Sequence, residues 1–195
     1  MKKFVLAMAA LFATMGAAQA QTAPVPSSAP LSFVAGMGLS VGGDDLATAR
    51  YTNGSSVDIK AGSGVYFTGG ANYRFNPEFS VQGTVNFHVD DTNASNGNIK
   101  FQRFPVELLG YYHLNNAWRV GGGVRYVSGA KLSSSGVASG LNIEFDNTTS
   151  GVLEAEYFFN PKLGMKLRYV NETFKARGYR DVKANHVGIS ANYYF

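Results

Sequence analysis

Charged side chains alternate with apolar or small ones in four segments of the second half of the chain. They are Glu107, Arg119, Arg125, Glu154, Glu156, Lys166 and Arg168. Residues an even number of positions apart share one face of a β-strand, so Glu154 and Glu156 would point the same way, as would Lys166 and Arg168. Charges on one face of neighbouring strands could form a gate or selectivity ring for ions. Alternatively, they could form a plug of ion pairs that neutralise one another.

Two short turns, predicted at residues 115–117 and 160–162, determine which of these charges face each other. Turn length fixes the register of a hairpin. The opposing pairs are then Glu107 with Arg125, Glu154 with Arg168 and Glu156 with Lys166. Arg125 and Glu154 would lie on neighbouring strands and could join two of these pairs into one belt, with Arg119 and Glu156 below it. We favour the plug, because unpaired charges are costly in a narrow protein interior, whereas paired charges satisfy one another.

The histidines and serines offer little catalytic chemistry. His88, His113 and His186 fall on different predicted strands at different heights, so their spacing predicts no metal site. His186 and Ser190 share a strand face but would lie about 13 Å apart, too far for a hydrogen-bonded nucleophile and base. We therefore expect no catalytic residues, no metal and no cofactor.

A repeated turn reveals the elements that would position the charges. Residues 73–79, 112–118 and 157–163 each end a strand on Tyr-x-Phe or Tyr-x-Leu, turn over Asn-Pro or Asn-Asn, and open the next strand on a large apolar residue. A fourth copy stops at 193–195. Three such turns on one side, with both chain ends there too, require four hairpins and eight strands. The pattern predicts an all-β fold, an eight-stranded antiparallel transmembrane up-and-down β-barrel.

The strands between the turns are apolar on one face and small or polar on the other, most clearly over residues 79–89. The other four connections are longer, and we expect the polar, Gly/Ser-rich first and third of them to be mobile. They lie near Gly43–Lys60, Asp90–Asn98, Ser128–Asn142 and Thr173–Asn185. Pro105 cannot donate to a ladder in mid-strand, which predicts a bulge or irregular pairing there.

Aromatic residues of the apolar face cluster at the turns. They are Tyr73, Phe75, Phe79, Tyr112, Trp118, Tyr157 and Phe159, with Tyr193 and Phe195 at the end of the chain. This arrangement is typical of an aromatic girdle at a membrane interface. The alternative is a soluble barrel with an aromatic core, whose other face should resemble a solvated surface. That face instead carries Gly36, Gly38, Gly121, Gly123 and Gly188 among the charges.

The first twenty residues have the features of a secretory signal peptide: Lys2 and Lys3, an apolar run, and the small-x-small sequence at 18–20. The apolar run is shorter than the roughly 20 residues that a membrane anchor would need. We expect a signal peptide at 1–20, a flexible proline-rich lead-in at 21–31 and the barrel domain at 32–195.

The composition of the exported part narrows the function classes. Setting Lys2 and Lys3 aside leaves 15 basic and 13 acidic residues, so the charge is nearly balanced and does not argue for nucleic acid. The chain has no Cys, which excludes disulfides and thiol chemistry.

The chain resembles the small outer-membrane β-barrel family of the OmpA/OmpX type from Leu31 to Phe195. The resemblance rests on the signal peptide, the Tyr-x-Phe strand ends and the final NHVGISANYYF. It implies an outer-membrane location and a C-terminal strand that the barrel-assembly machinery recognises. The matching positions are Val187, Ile189, Ala191, Tyr193 and Phe195.

We expect a structural or surface-interaction role through four extracellular loops. Its partners would be outer-membrane lipid, lipopolysaccharide and, during biogenesis, the assembly machinery, with no nucleic acid and with the barrel as a monomer. A narrow porin-like channel is the alternative. A lipid-modifying enzyme is a third possibility, but the His-x-Ser-Asn motif of the eight-stranded lipid A deacylases is missing near His186 and Ser190.

Overall fold

The computed structural model describes residues 30–50, 56–94, 97–136 and 142–195. The predicted signal peptide and almost all of the predicted lead-in lie outside these ranges. The described residues form the strands β1 (Leu31–Gly42), β2 (Asp45–Arg50), β3 (Ser56–Lys60), β4 (Gly64–Arg74), β5 (Phe79–Ala94), β6 (Gly97–His113), β7 (Trp118–Gly136), β8 (Ile143–Glu144), β9 (Thr148–Asn160), β10 (Leu163–Asn171), β11 (Thr173–Phe174), β12 (Val182–Lys183) and β13 (His186–Tyr194). The described ranges contain no helix long and apolar enough to cross a membrane.

Eight of these strands form a closed antiparallel barrel in the order β1, β4, β5, β6, β7, β9, β10, β13. The barrel closes because β1 pairs with β4 on one side and with β13 on the other. Each strand neighbours the one before it and the one after it in the chain, as in an up-and-down barrel. The predicted fold class is confirmed.

Side-chain direction alternates along every long strand, as predicted. Outward positions keep large apolar residues in the open, with Phe33 59%, Val85 62% and Leu167 55% exposed. Inward positions are polar and buried, with Gln82 and Glu156 fully covered. An apolar outer wall of this extent is stable only when lipid covers it, so the fold requires a membrane.

The repeated turn has one cause at all three places. Asn76, Asn115 and Asn160 each accept, at the side-chain oxygen, the backbone N–H groups two and three residues further on, at 2.7–2.9 Å. An asparagine that bonds its own following backbone forms a compact turn without help from the rest of the fold. We call this end of the barrel the turn end and the opposite one the loop end.

The four predicted long connections contain more strand than expected. The first connection contains the β2–β3 hairpin, the fourth the β11–β12 ladder, and β5, β6 and β7 continue well past the predicted strand ends. Apolar side chains from these extensions form a buried group that we call the mouth cluster. Its members are Ile59, Ala61, Ile99, Phe101, Val127, Ala130, Leu132, Phe145, Phe174, Ala176 and Ala184. The extensions are thus held by a core of their own.

The irregularity expected at Pro105 lies two residues away from it. Pro105 itself pairs with Val127 in β7. The register shifts between Gln102 and Phe104, where Arg103 faces an extra residue of β7. Gly129, with φ +62°, lies in this bulge and supplies a backbone conformation that side chains disfavour.

Candidate functional site

The inward charges form one continuous network across the middle of the lumen. Arg168 Nη2 lies 2.7 Å from a carboxylate oxygen of Glu107 and 2.7 Å from one of Glu154. Glu154 also accepts from the Lys166 ammonium at 3.0 Å. Each of these four side chains is at most 5% exposed. Their charges are therefore satisfied by one another and not by water.

The network extends from this centre in both directions. Towards the loop end, Arg125 bridges Glu107 at 2.7 Å and Glu172 at 3.0 Å. Towards the turn end, Glu156 lies 2.6 Å from Arg119 and 3.9 Å from Lys166. We call the set the charge network; its members are Glu107, Arg119, Arg125, Glu154, Glu156, Lys166, Arg168 and Glu172.

The register of the hairpins places the predicted pairs opposite one another: Glu107 with Arg125, Glu154 with Arg168, and Glu156 with Lys166. The expected direct link from Arg125 to Glu154 is absent, because Arg125 lies opposite Ser150 and Glu154 opposite Gly121. Arg168 makes that connection instead.

Glu172 belongs to the network but was missed in the sequence. It lies just after β10, beyond the predicted end of that strand, yet the inward positions of β10 continue in step to residue 172. Its carboxylate also accepts from the Ser150 hydroxyl at 2.8 Å. Extending the alternation of β10 by one more period would have found it.

Neutral side chains complete the shell around Arg119 near the turn end. The guanidinium donates to Asn72 at 3.0 Å and to Gln82 at 2.9 Å. It also lies over the Tyr111 ring, 3.9 Å from the ring centroid. The Tyr194 hydroxyl donates to Glu156 at 2.9 Å. Such uncharged partners lower the cost of burying the Arg119–Glu156 pair away from water.

Arg103 is a buried cation near the loop end, and it has no ion-pair partner among the described residues. Its guanidinium donates to the carbonyl of Ala61 and to His88 Nδ1, the latter at 3.0 Å. It also lies 5.1 Å from the centroid of the Phe101 ring. Among the described residues, the buried Arg, Lys and Glu side chains are five cations and four carboxylates, and Arg103 is the cation left over. Its positive charge is held by a carbonyl, an imidazole and aromatic rings.

A serine and a histidine lie within hydrogen-bond distance of each other at the loop end, but the serine hydroxyl donates to a backbone carbonyl. Ser40 Oγ lies 2.9 Å from His88 Nε2 and donates to the carbonyl of Gly62 at 2.7 Å. Arg103 Nη2 lies 3.0 Å from Nδ1 and 3.2 Å from Nε2 of the His88 ring. The single hydroxyl proton of Ser40 goes to the Gly62 carbonyl, which leaves the Ser40 oxygen as the acceptor towards His88. The hydrogen bonds of Ser40 to Gly62 and His88 fix the Gly62 turn to the barrel mouth.

The three histidines divide between the two ends of the barrel. The His88 and His186 rings lie 5.6 Å apart at the loop end, whereas His113 bonds Ser80 at 2.9 Å near the turn end. In the described part of the chain, no three His, Asp or Glu side chains come together as metal ligands.

The space left inside the network is small. A cavity of about 10 Å³ lies among its side chains, lined by residues that include Tyr66, Thr84, Glu107, Arg168 and Ser190. A volume of this size holds roughly one water molecule. At this level, side chains fill the lumen.

The predicted girdle residues form aromatic pairs on the outer wall at the turn end. Phe79 and Tyr112 are 5.2 Å apart between ring centroids, and Trp118 and Tyr157 are 4.9 Å apart. Tyr73 likewise contacts Phe75, and Tyr157 contacts Phe159. Most of these rings are widely exposed on the wall, which is the position an interfacial aromatic belt requires.

The predicted C-terminal assembly residues lie on the outward face of β13, which is the strand that closes the barrel. Val187, Ile189, Tyr193 and Phe195 are exposed there, and Ala191 is half-buried. The backbone N–H of Phe195 donates to the carbonyl of Phe33 at 2.9 Å, extending the pairing of β13 with β1.

The sequence matches the family model described as "Outer membrane protein beta-barrel domain" over residues 4–195. Among solved structures, the chain is similar to Ail, the attachment invasion locus protein of Yersinia pestis, in complex with the heparin analogue sucrose octasulfate. The TM-score is 0.54 and the identity 16%, over 85% of this chain and 97% of that one. It is also similar to the outer membrane protein OprG from Pseudomonas aeruginosa, with TM-score 0.52 and 18% identity over 87% and 98% of the chains. A search of curated proteins gives no match.

Proposed function

We propose that this chain, which belongs to the outer membrane protein β-barrel family, is a closed barrel that acts through its loops and not through its lumen. The family indicates the outer membrane of a Gram-negative envelope. The observation that carries the proposal is the contact between Arg168 and Glu107, 2.7 Å long, which crosses the lumen between strands that are not neighbours.

Closure follows from the energetics of buried ion pairs. A hydrated ion could pass only if the Arg168 contacts to Glu107 and Glu154 opened. Separating buried partners leaves uncompensated charge in a low-dielectric interior, which costs several kcal/mol. The neighbouring cavity of about 10 Å³ offers no way around them. We therefore favour a plug over a selectivity ring.

The mouth cluster supports a second barrier in series with the first. Ile59, Phe101, Leu132 and Phe174 are at most 1% exposed at the loop end. An apolar constriction repels water and ions, because neither finds polar partners there. An opening in the charge network alone would leave this barrier in place.

The turn and loop ends face opposite sides of the membrane in this proposal, with the short turns in the periplasm and the long hairpins outside. Lipid and lipopolysaccharide surround the outer wall, and the barrel is a monomer.

Residues 1–20 are a cleavable signal peptide, and the barrel-assembly machinery recognises the outward face of β13. A catalytic role is not proposed, because the Ser40 hydroxyl donates to the Gly62 carbonyl and not to His88.

Planar-bilayer recording tests the closed barrel. We expect the purified folded protein to show no stable conductance, and we expect Glu154→Gln to produce at most brief openings. A stable wild-type conductance that neither Glu154→Gln nor Arg125→Gln alters would contradict closure and favour the narrow channel. Mass spectrometry of lipid A from cells that express the protein tests the enzyme alternative, which predicts a change in acyl-chain composition.

A further inference from the structure

We propose that one loop hairpin binds the phosphate groups of lipid headgroups in the leaflet that surrounds the loop end. This basic hairpin comprises residues 173–183 and contains β11 and β12. Its exposed charged side chains are Lys175, Arg177, Arg180 and Lys183, which are cationic, and Asp181, which is anionic. The inference rests on the proposed surface role of the loops and adds the loop concerned and the chemistry of its partner.

The basic residues continue the outer wall of the barrel. From Tyr169 to Arg177 every second residue points outward, so Lys175 and Arg177 lie on the same face as lipid-facing Tyr169. The inward positions between them, among them Phe174 and Ala176, are buried. The cations therefore stand above the lipid around the barrel and do not line the mouth.

The returning arm of the hairpin repeats this arrangement. Lys183 and Val187 are exposed, whereas Ala184 and His186 between them are buried. Both arms thus carry a lysine directly above an apolar lipid-facing residue, Lys175 above Tyr169 and Lys183 above Val187.

The height of Lys183 suits headgroup phosphates. Lys183 precedes Val187 by four residues, a span of roughly 13 Å along a strand and about 10 Å along the membrane normal at barrel tilt. A lysine at such a height can extend its four-carbon stem back towards the interface and place its ammonium among the headgroups. A phosphate in that layer is an acceptor of opposite charge.

Hydrogen bonds to neighbouring segments hold both arms of the hairpin in place. Asp44 N–H donates to the Lys183 carbonyl at 2.7 Å, and the Lys183 N–H donates back to the Asp44 carboxylate at 2.9 Å. On the other arm, the Asp146 N–H donates to the Lys175 carbonyl at 2.8 Å. Phe174 anchors the base of the hairpin in the mouth cluster. Binding therefore loses little loop entropy.

Each of the other loops has fewer basic residues than this hairpin, and two of those residues are paired in the described part of the chain. Lys131 pairs with Glu144 at 3.0 Å, and Lys60 pairs with Asp45 at 2.8 Å. In the basic hairpin, the single acidic neighbour lies 3.8 Å from Lys175. Neither Arg177 nor Arg180 has an ion-pair partner in the part of the chain that the structure describes. The four basic residues of the hairpin lie above β10 and β13 and make it the most basic loop of the loop end by sequence.

Native mass spectrometry of the folded protein in detergent tests the proposal, with diphosphorylated lipid A as the probe. The variant replaces the four basic residues of the hairpin with Gln, and its matched control replaces Lys60, Lys100 and Lys131 of other loops with Gln. We expect the hairpin variant to bind lipid A roughly tenfold or more weakly, because each cation near an anionic headgroup layer adds to affinity. The control should stay within about twofold of the wild type, and lipid A without phosphates should not distinguish the proteins.

Equal lipid A binding by the wild type and the hairpin variant would overturn the proposal, as would equal binding of lipid A with and without phosphates. A soluble heparin oligosaccharide is the third arm. If the variant loses heparin but keeps lipid A, the hairpin serves an external polyanion and the proposal falls. Heat-modifiable mobility checks that the variant is folded, since the replaced side chains are exposed. Conductance reports separately on the closed lumen, so either proposal can fail alone.

Discussion

Arg168 contacts Glu107 across the lumen of the barrel, with Nη2 2.7 Å from Oε2, although β10 and β6 are separated in the sheet by β9 and β7. The same nitrogen lies 2.7 Å from Glu154, its cross-strand neighbour. Arg168 thus links two contacts of different origin. Its contact with Glu154 lies within one hairpin, and its contact with Glu107 crosses the lumen. Because both carboxylates are buried, removing either one would leave an uncompensated charge inside the barrel.

Glu107→Gln should destabilise the barrel strongly. The change leaves Arg125 and Arg168 without one of their two carboxylates in a buried site, which costs roughly 3–5 kcal/mol when a buried partner is removed. Urea unfolding of the protein in lipid vesicles measures the loss. Glu144→Gln is the matched control, because it removes the partner of Lys131 from an exposed pair and should cost at most about 1 kcal/mol. Similar losses for both variants would show that the network is not the main source of interior stability.

An arginine introduced on the outer wall should destabilise the barrel more, the closer it lies to the middle of the membrane. Leu167 lies at the middle of β10 and is 55% exposed on the wall, so Leu167→Arg should cost roughly 2–4 kcal/mol. Val187 lies at the loop end of β13, opposite Tyr169, so Val187→Arg should cost about 1 kcal/mol or less. The same vesicle unfolding assay compares them. A larger cost for Val187→Arg than for Leu167→Arg would show that the middle of the membrane lies nearer Val187 than Leu167.

The sequence predicted the cross-strand part of the charge network, because that part depends on turn length alone. Asn115 and Asn160 close compact turns through local hydrogen bonds, and pairs such as Glu156 with Lys166 follow by counting. The contact between Arg168 and Glu107 has no such local origin. It depends on strand tilt, on lumen width and on the reach of an arginine, none of which appears in a single strand's pattern.

The mouth cluster was missed for a related reason. Its apolar residues come from separate connections; Ile59, Phe101 and Phe174, for example, lie more than forty residues apart from one another. Each lies beside polar or glycine-rich sequence that indicates a solvated loop. Only tertiary packing brings them together, so local composition indicated solvated loops where the structure has a core. The partners of Arg103, the Ala61 carbonyl and the Phe101 ring, belong to this same unpredicted core.

Deleting Phe195 or replacing it with Asp should slow assembly and leave unfolded protein in the periplasm. Phe195 is 67% exposed on the outer wall, so it contributes little to the core of the folded barrel. Its N–H bond to Phe33 and its place at the end of β13 suit a signal read during insertion. Gel mobility with and without heating measures the folded fraction in outer-membrane preparations. Wild-type levels of folded Phe195→Asp protein would contradict an assembly role for this residue.

Gly62→Ala should loosen the loop end while leaving the lumen shut. A methyl group at Gly62 would lie 2.8 Å from Cβ of His186 and 2.9 Å from the carbonyl of Ala184, closer than packed atoms allow. The turn fixed by Ser40 must then move away from the mouth, and the β2–β3 hairpin should become more sensitive to added protease. Gly69→Ala is the matched control, since a methyl group there meets nothing within 4 Å. Because the charge network lies deeper in the barrel, planar-bilayer conductance should stay absent in both variants. A stable conductance in Gly62→Ala would instead show that the mouth cluster, and not the charge network, is the main barrier.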